Sequence, residues 1–398
     1  MDVSQLESTD DIATLLERLG EELRRRGAFH ELFEVLKLRL RHRLGLPLLY
    51  HDSADALEPE DREQLERGLI DACRDVGMEL FRAGKPGEGW LYLQAVGERH
   101  EAADVLKSLP VNDSTLDEII HVALYEGVDV AYGFRLLLQH HGICNSITTF
   151  ESMMRERSRD EQQAAATLLL DQLYEDVVEN VRADLTERGA APSADATLGE
   201  LIEGHDELFE QDRYHVDTSH LAAVVRASRL LDEPRAWKRA WELSEYGRRL
   251  SALYQLPDDE PFADFYGGHA RFFEVLMGRD EAAVDEGLAY FRSKSESVED
   301  PHEADHCKEV YLDLLLRAGR PSEAIREGVR LFTERIPPNL LGALLDVAAR
   351  QADFDTLLEY ARAKDDLLTY GTLLALQLDC RRTTAEASDA GRRQGGGT

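Results

Sequence analysis

No stretch of this sequence approaches the ~18 consecutive apolar residues that a membrane-crossing helix needs. Its opening residues, Met1 to Asp11, carry no basic segment followed by an apolar one. No secretory signal is visible, and the chain reads as cytoplasmic. Cysteine is scarce: Cys73, Cys144, Cys307 and Cys380 stand singly, with no C-x-x-C spacing. That pattern argues against a zinc ribbon, a thioredoxin-type site and a disulfide framework. The spacings that cradle phosphates, bind dinucleotides, present a serine nucleophile or form an EF-hand loop are all missing. Nucleotide hydrolases, dinucleotide oxidoreductases and α/β-hydrolases are correspondingly disfavoured.

Positive charge is also in short supply. The formal net charge is −32, and of 46 basic residues only seven are Lys, the others being Arg, which stays charged at any working pH. Such a chain repels phosphate backbones and anionic lipid, so neither nucleic acid nor a membrane is an expected partner. The excess acid serves solubility or draws a basic partner. Amphipathic segments are plentiful, but their polar faces are acidic, whereas interfacial helices carry basic ones.

Helix is what the sequence does contain. Leu, Ala, Glu and Arg dominate, and alternating β-branched stretches are missing, so strand content is expected near zero. Asp10 or Asp11 can cap a helix whose Ile12, Leu15, Leu16, Leu19 and Leu23 recur at helical spacing, and Gly27 ends it after Arg24-Arg25-Arg26. A second helix carries Leu32, Phe33, Val35, Leu36 and Leu40 and stops at Gly45-Leu-Pro47. His51 to Pro59 reads as a linker, Glu60 to Ala83 as a helix, and Asp160 to Arg188 as one helix of unusual length.

A turn followed by a helix restart recurs. It appears in Arg82-Ala-Gly-Lys-Pro-Gly-Glu-Gly-Trp90, Met277-Gly-Arg-Asp-Glu-Ala-Ala-Val284, Arg317-Ala-Gly-Arg-Pro-Ser-Glu-Ala-Ile325 and Arg350-Gln-Ala-Asp-Phe-Asp-Thr-Leu-Leu358. The last two lie about 33 residues apart, near the period of a helical-hairpin repeat. Gly319-Arg-Pro-Ser-Glu-Ala-Ile resembles the second helix of a tetratricopeptide repeat, although the Trp-Leu-Gly-Tyr pattern of the first helix is missing. The resemblance covers about half the chain. It implies an all-α solenoid of stacked antiparallel hairpins rather than any particular family.

On this reading residues 1–47 form an N-terminal hairpin and 60–143 helical repeats. Residues 144–233 form an irregular helical middle with a loop at 189–197, and 234–380 the C-terminal tetratricopeptide-like repeats. Residues 381–398 lack apolar periodicity and are expected to be a disordered tail.

Three groups of residues invite a chemical reading. His302-Glu-Ala-Asp-His306 spells H-E-x-x-H, which puts two imidazoles on one helical face with a Glu to activate water. Yet the motif follows Pro301 directly, contains a charged Asp305 and has no third ligand downstream. In Tyr214-His-Val-Asp-Thr-Ser-His220, a functional reading places His215, Asp217 and His220, joined by His205 or His269, around zinc or iron, but i and i+5 point about 140° apart on a helix. There Asp217 or Thr218 reads more simply as the N-cap of a helix carrying Leu221, Val224, Val225 and Leu230. In His140 to Phe150, a Cys144–His pair lacks an orienting third group, and a helix junction capped by Asn145 or Ser146 is the plainer reading.

Aromatic residues suggest binding instead. Phe262 to Phe273 gathers Phe, Tyr266, His269 and Arg271 around Gly267-Gly268, while Trp237 and Trp241 stand at i, i+4. On the concave face of a solenoid, Trp237, Trp241, Tyr266, His269 and Arg271 would anchor a peptide. At the same spacing they also suit a core.

The expectation is therefore a non-enzymatic scaffold, monomer or homodimer, that binds a protein or peptide partner, a basic one being favoured by the acidic charge, with no cofactor. The alternative is a metal-dependent helical protein using the histidines at 205–220, 269 or 302–306.

Overall fold

The computed structural model describes residues 11–49, 57–97 and 99–394. Among these there is no strand, and the helices pack in neighbouring pairs. No described helix is long and apolar enough to cross a membrane. The chain divides into two compact units, Met1–Leu169 and Leu170–Thr398.

The first unit opens with α1 (Ile12–Arg26) and α2 (Phe29–Arg43). Asp11 caps α1 by accepting the Thr14 N–H at 2.8 Å, and Gly27 ends it in the left-handed region at φ 68°. The basic run Arg24–Arg26 faces the negative end of the helix dipole, as anticipated. The linker expected at 51–59 lies almost wholly outside the described residues, and Pro59 opens α3 (Pro59–Arg82).

Next come α4 (Pro86–Leu93), α5 (Arg99–Ser108) and α6 (Leu116–Ile120), which runs into a π-turn at His121–Tyr125. Each of α2 to α4 packs on its predecessor. Phe29, Leu32, Val76 and Leu80 form the core between α2 and α3. Helices α3 and α4 approach so closely that a Cβ on Gly89 would sit 2.7 Å from the Gly77 carbonyl. Only glycine fits that contact.

The helix α7 (Val130–Met153) contains the His140–Phe150 segment. The expected junction is a kink at Gly142 (φ 79°, ψ 173°). Asn145 and Ser146 do not cap there. Each donates backwards, to the carbonyls of His141 (2.8 Å) and Gly142 (2.9 Å), as hydroxyl and amide side chains do inside helices.

The long helix appears as α8 (Arg159–Glu187), and the boundary between the units falls within it. The second unit continues through α9 (Leu198–Ile202), α10 (Thr218–Ala227), α11 (Pro234–Arg249), α12 (Phe265–Met277), α13 (Glu281–Ser297), α14 (Pro301–Arg317), α15 (Pro321–Leu331), α16 (Pro338–Gln351), α17 (Asp355–Ala363) and α18 (Leu367–Gln394). From α11 to α16 each helix packs on the next, and α18 closes on α16 and α17. The helix α18 continues past Cys380 to Gln394, where no regular structure was expected after 380. Ala, Arg, Glu and Gln in 381–394 have enough helix propensity to extend it without an apolar face.

The recurring turns share one device. Gly84, Gly278, Gly319 and Ala352 all take the left-handed conformation, at φ 77°, 59°, 74° and 54°. Three of the four use the residue that pays no steric penalty there.

Candidate functional site

The aromatic stretch 262–273 is interior. Helix α12 is buried on nearly every face, as befits a helix sandwiched between α11 and α13. Tyr266 and His269 are 0% exposed and face neighbouring helices, so both belong to the core rather than to an open binding face. His269 donates Nδ1–H to the Phe265 carbonyl (2.7 Å) and stacks on Phe262 with centroids 4.3 Å apart. Burial and the nearby Arg229 push its imidazole well below the usual histidine range. Tyr266 lies over Gly247, where a Cβ would meet the ring at 2.3 Å. Gly267 and Gly268 neither break α12 nor bring two helices together: a Cβ at Gly267 would strike the capping Asp264 carboxylate, and one at Gly268 would sit tightly, 3.2 Å from the ring of Phe262.

Of the other expected anchors, Trp237 and Arg271 have partners within the fold. Trp237 is half-buried and donates Nε1–H to the Leu231 carbonyl at 2.6 Å. Trp241, one turn on, is half-buried too. Arg271 lies over the Tyr290 ring at 4.9 Å and 3.5 Å from the Asp264 carboxylate.

The histidines go separate ways. Asp300 caps α14 by accepting the N–H groups of His302 (3.0 Å) and Glu303 (3.1 Å), leaving His302 and His306 exposed. Asp305 between them pairs with Lys308. Asp217 caps α10 as anticipated and accepts the His220 N–H at 3.3 Å. His205 bonds Glu207 at 2.8 Å. Among the described residues no three His, Cys, Asp or Glu side chains converge as a metal-ligating group. The sets 205–220, 269 and 302–306 are therefore not brought together by the fold.

His215 has a different role. Its side chain is 7% exposed, with Nε2 3.3 Å from Asp184 on α8 and Nδ1 2.9 Å from the Tyr246 hydroxyl on α11. That hydroxyl also accepts the His215 backbone N–H at 2.9 Å. One proton arrangement satisfies the chain: Tyr246 donates to Nδ1, and Nε2–H donates to Asp184. Burial pulls the imidazole below its usual range, against the opposing pull of Asp184. Asn180 donates to the His215 carbonyl, and Phe209 packs on both the imidazole and the Tyr246 ring. The loop 203–217 is thereby fastened to α8 and α11. The fastening holds two non-glycine residues, Gln211 (φ 58°) and Asp212 (φ 56°), in the left-handed region at ~1–2 kcal/mol each.

This anchoring displays a patch that the sequence reading did not single out. Tyr214 is 52% exposed and meets Tyr254 edge-on, with centroids 5.1 Å apart. Leu253, at 73% exposed, and Leu256 follow on the second loop. That loop is equally fixed: Ser251 caps its turn, and Gln255 donates to the carbonyls of Gly247 (3.0 Å) and Leu250 (2.9 Å). The cations beside the patch are engaged, Arg213 with Asp184 and Arg226 with Asp258. Glu210, Asp212 and Asp259 on the same loops are exposed and make no ion pair with a described residue. Exposed aromatic and aliphatic side chains on anchored loops that also carry exposed carboxylates form a surface suited to binding.

No family model matches the chain, and no curated protein matches it.

Proposed function

We propose that this chain is a non-enzymatic interaction protein, a tetratricopeptide-like α-solenoid that holds a basic segment of a partner protein. The observation that carries this reading is the exposed Tyr214–Tyr254–Leu253 patch, fastened by the His215 anchor, on loops that also carry the exposed acids Glu210, Asp212 and Asp259. Rigid aromatic side chains contribute contact area at low entropic cost, which is why tyrosines recur at binding hot spots. Sequential packing of α11 to α16 supports the solenoid, since repeat proteins stack each unit on its neighbours alone. The left-handed turn common to Gly84, Gly278, Gly319 and Ala352 supports a repeated hairpin.

The acidic rim selects a partner with Lys or Arg flanking an apolar side chain, and salt weakens that attraction. The test is titration of the full chain with three synthetic peptides of one length. One alternates Lys with Leu and Trp, one alternates Glu with Leu and Trp, and one alternates Lys with Ser. The first binds in a saturable way and the other two do not. The double variant Tyr214→Ser, Leu253→Ser weakens the first by about tenfold or more. Equal binding of the first and third peptides, or an unaffected variant, would contradict the proposal.

A further inference from the structure

Within the first unit, α1, α2 and α3 enclose a cleft of about 530 Å³, a volume in the range of small-molecule sites. Its floor is apolar, built by Leu16, Leu40 and Ala72. The floor is closed by a tight approach of α2 on α3: a Cβ on Gly68 would fall 2.4 Å from a Leu40 methyl. Charge on the walls is segregated by helix. Arg39 and Arg43 stand one turn apart on α2, and Asp71 and Asp75 one turn apart on α3, so each pair shares a face.

These charges are only partly used by the fold. Arg39 is 4.0 Å from Glu17, and Asp71 bonds Arg74 at 2.9 Å. Arg43 and Asp75 are both exposed and make no ion pair with a described residue. A free guanidinium and a free carboxylate thus stand on opposite walls of one cleft, with an apolar floor between them. A ligand that complements all three features carries a carboxylate, an ammonium and an apolar body. Arg is the side chain best shaped to grip a carboxylate with two parallel hydrogen bonds. A carboxylate matches an ammonium as a compact point charge.

We infer that this cleft binds a zwitterionic amino compound with an apolar side chain, the chemistry of a short peptide or amino acid with free termini. Its carboxylate meets Arg43, its ammonium meets Asp75, and its side chain lies on Leu16, Leu40 and Ala72. This site uses none of the residues of the docking patch, so either assignment can fail without the other.

The experiment is calorimetric titration of the full chain with leucine and with dileucine, then with N-acetyl-dileucine and dileucine amide. The zwitterions bind saturably, and each blocked form, lacking one charge, binds about tenfold more weakly or worse. Stronger binding of dileucine than of leucine identifies a peptide site, and the reverse order an amino-acid site. Arg43→Gln and Asp75→Asn lie on the surface and leave the fold intact by circular dichroism. Arg43→Gln abolishes the preference for a free carboxylate, and Asp75→Asn the preference for a free ammonium. No saturable binding of either zwitterion, equal binding of the blocked forms, or indifference to both substitutions would overturn the assignment.

Discussion

The Tyr246 hydroxyl accepts the backbone N–H of His215 at 2.9 Å and lies 2.9 Å from Nδ1 of the same residue. One phenol thereby fixes both the main chain and the ring orientation of the residue next to Tyr214. Tyr246→Phe removes that double contact and leaves a backbone donor and an imidazole nitrogen unpaired in a buried place. The expected cost is about 1–3 kcal/mol. It should appear as faster amide exchange across 205–217 with little change across α14 and α15. Uniformly faster exchange would mean that the hydroxyl supports the whole unit rather than the loop.

Acid should weaken the second unit. His215 and His269 both titrate below their ordinary value of 6.5 because burial disfavours the imidazolium. The unfolded chain therefore binds more protons than the folded one as pH drops through about 6.5. The stability of the neutral, buried rings is present above that pH and is lost progressively as pH falls from there toward the folded-state values. Thermal melting at pH 7.5 and 5.5 should show this loss, and His269→Phe should reduce it. An unchanged pH dependence in His269→Phe would show that this imidazole is not held neutral.

Gly247 has no room for a methyl group, because the Tyr266 ring lies 2.3 Å from where its Cβ would be. Gly247→Ala forces α11 and α12 apart and should destabilise by about 1–3 kcal/mol, the usual cost of overpacking. Denaturant unfolding measures it, and a change below about 0.5 kcal/mol would show that the two helices slide to accommodate the methyl.

Ala352 is the exception among the four recurring turns. At φ 54° it pays the left-handed penalty that Gly84, Gly278 and Gly319 avoid. Ala352→Gly should therefore stabilise the chain by up to about 1 kcal/mol, read from the denaturation midpoint. A loss of stability would indicate that the methyl makes a packing contact worth more than the strain.

Much of the helical architecture was legible because its signals are local. Asp11, Gly27, Asp217 and Gly319 act where cap and turn chemistry put them. The long helix of 159–187 followed from unbroken helical spacing. The site was less legible. Helical spacing in Phe262–Phe273 is shared by core and binding faces, and only the packing of α12 between two neighbours decides for the core. The role of His215 depends on contacts distant in sequence, since Asp184 and Tyr246 each lie 31 residues away from it. Tyr214, Leu253 and Leu256 carry no periodicity. Their one signal was composition: apolar residues inside segments otherwise rich in Asp, Pro and Gln.

We propose that a partner segment docks on the Tyr214–Leu253 patch. Hydrogen exchange of the full chain, free and saturated with the Lys-Leu-Trp peptide, tests it most directly. Protection confined to 209–217 and 250–257, and abolished by Tyr214→Ser with Leu253→Ser, is the predicted result. Protection that falls elsewhere, or persists in the double variant, would rule out docking at this patch.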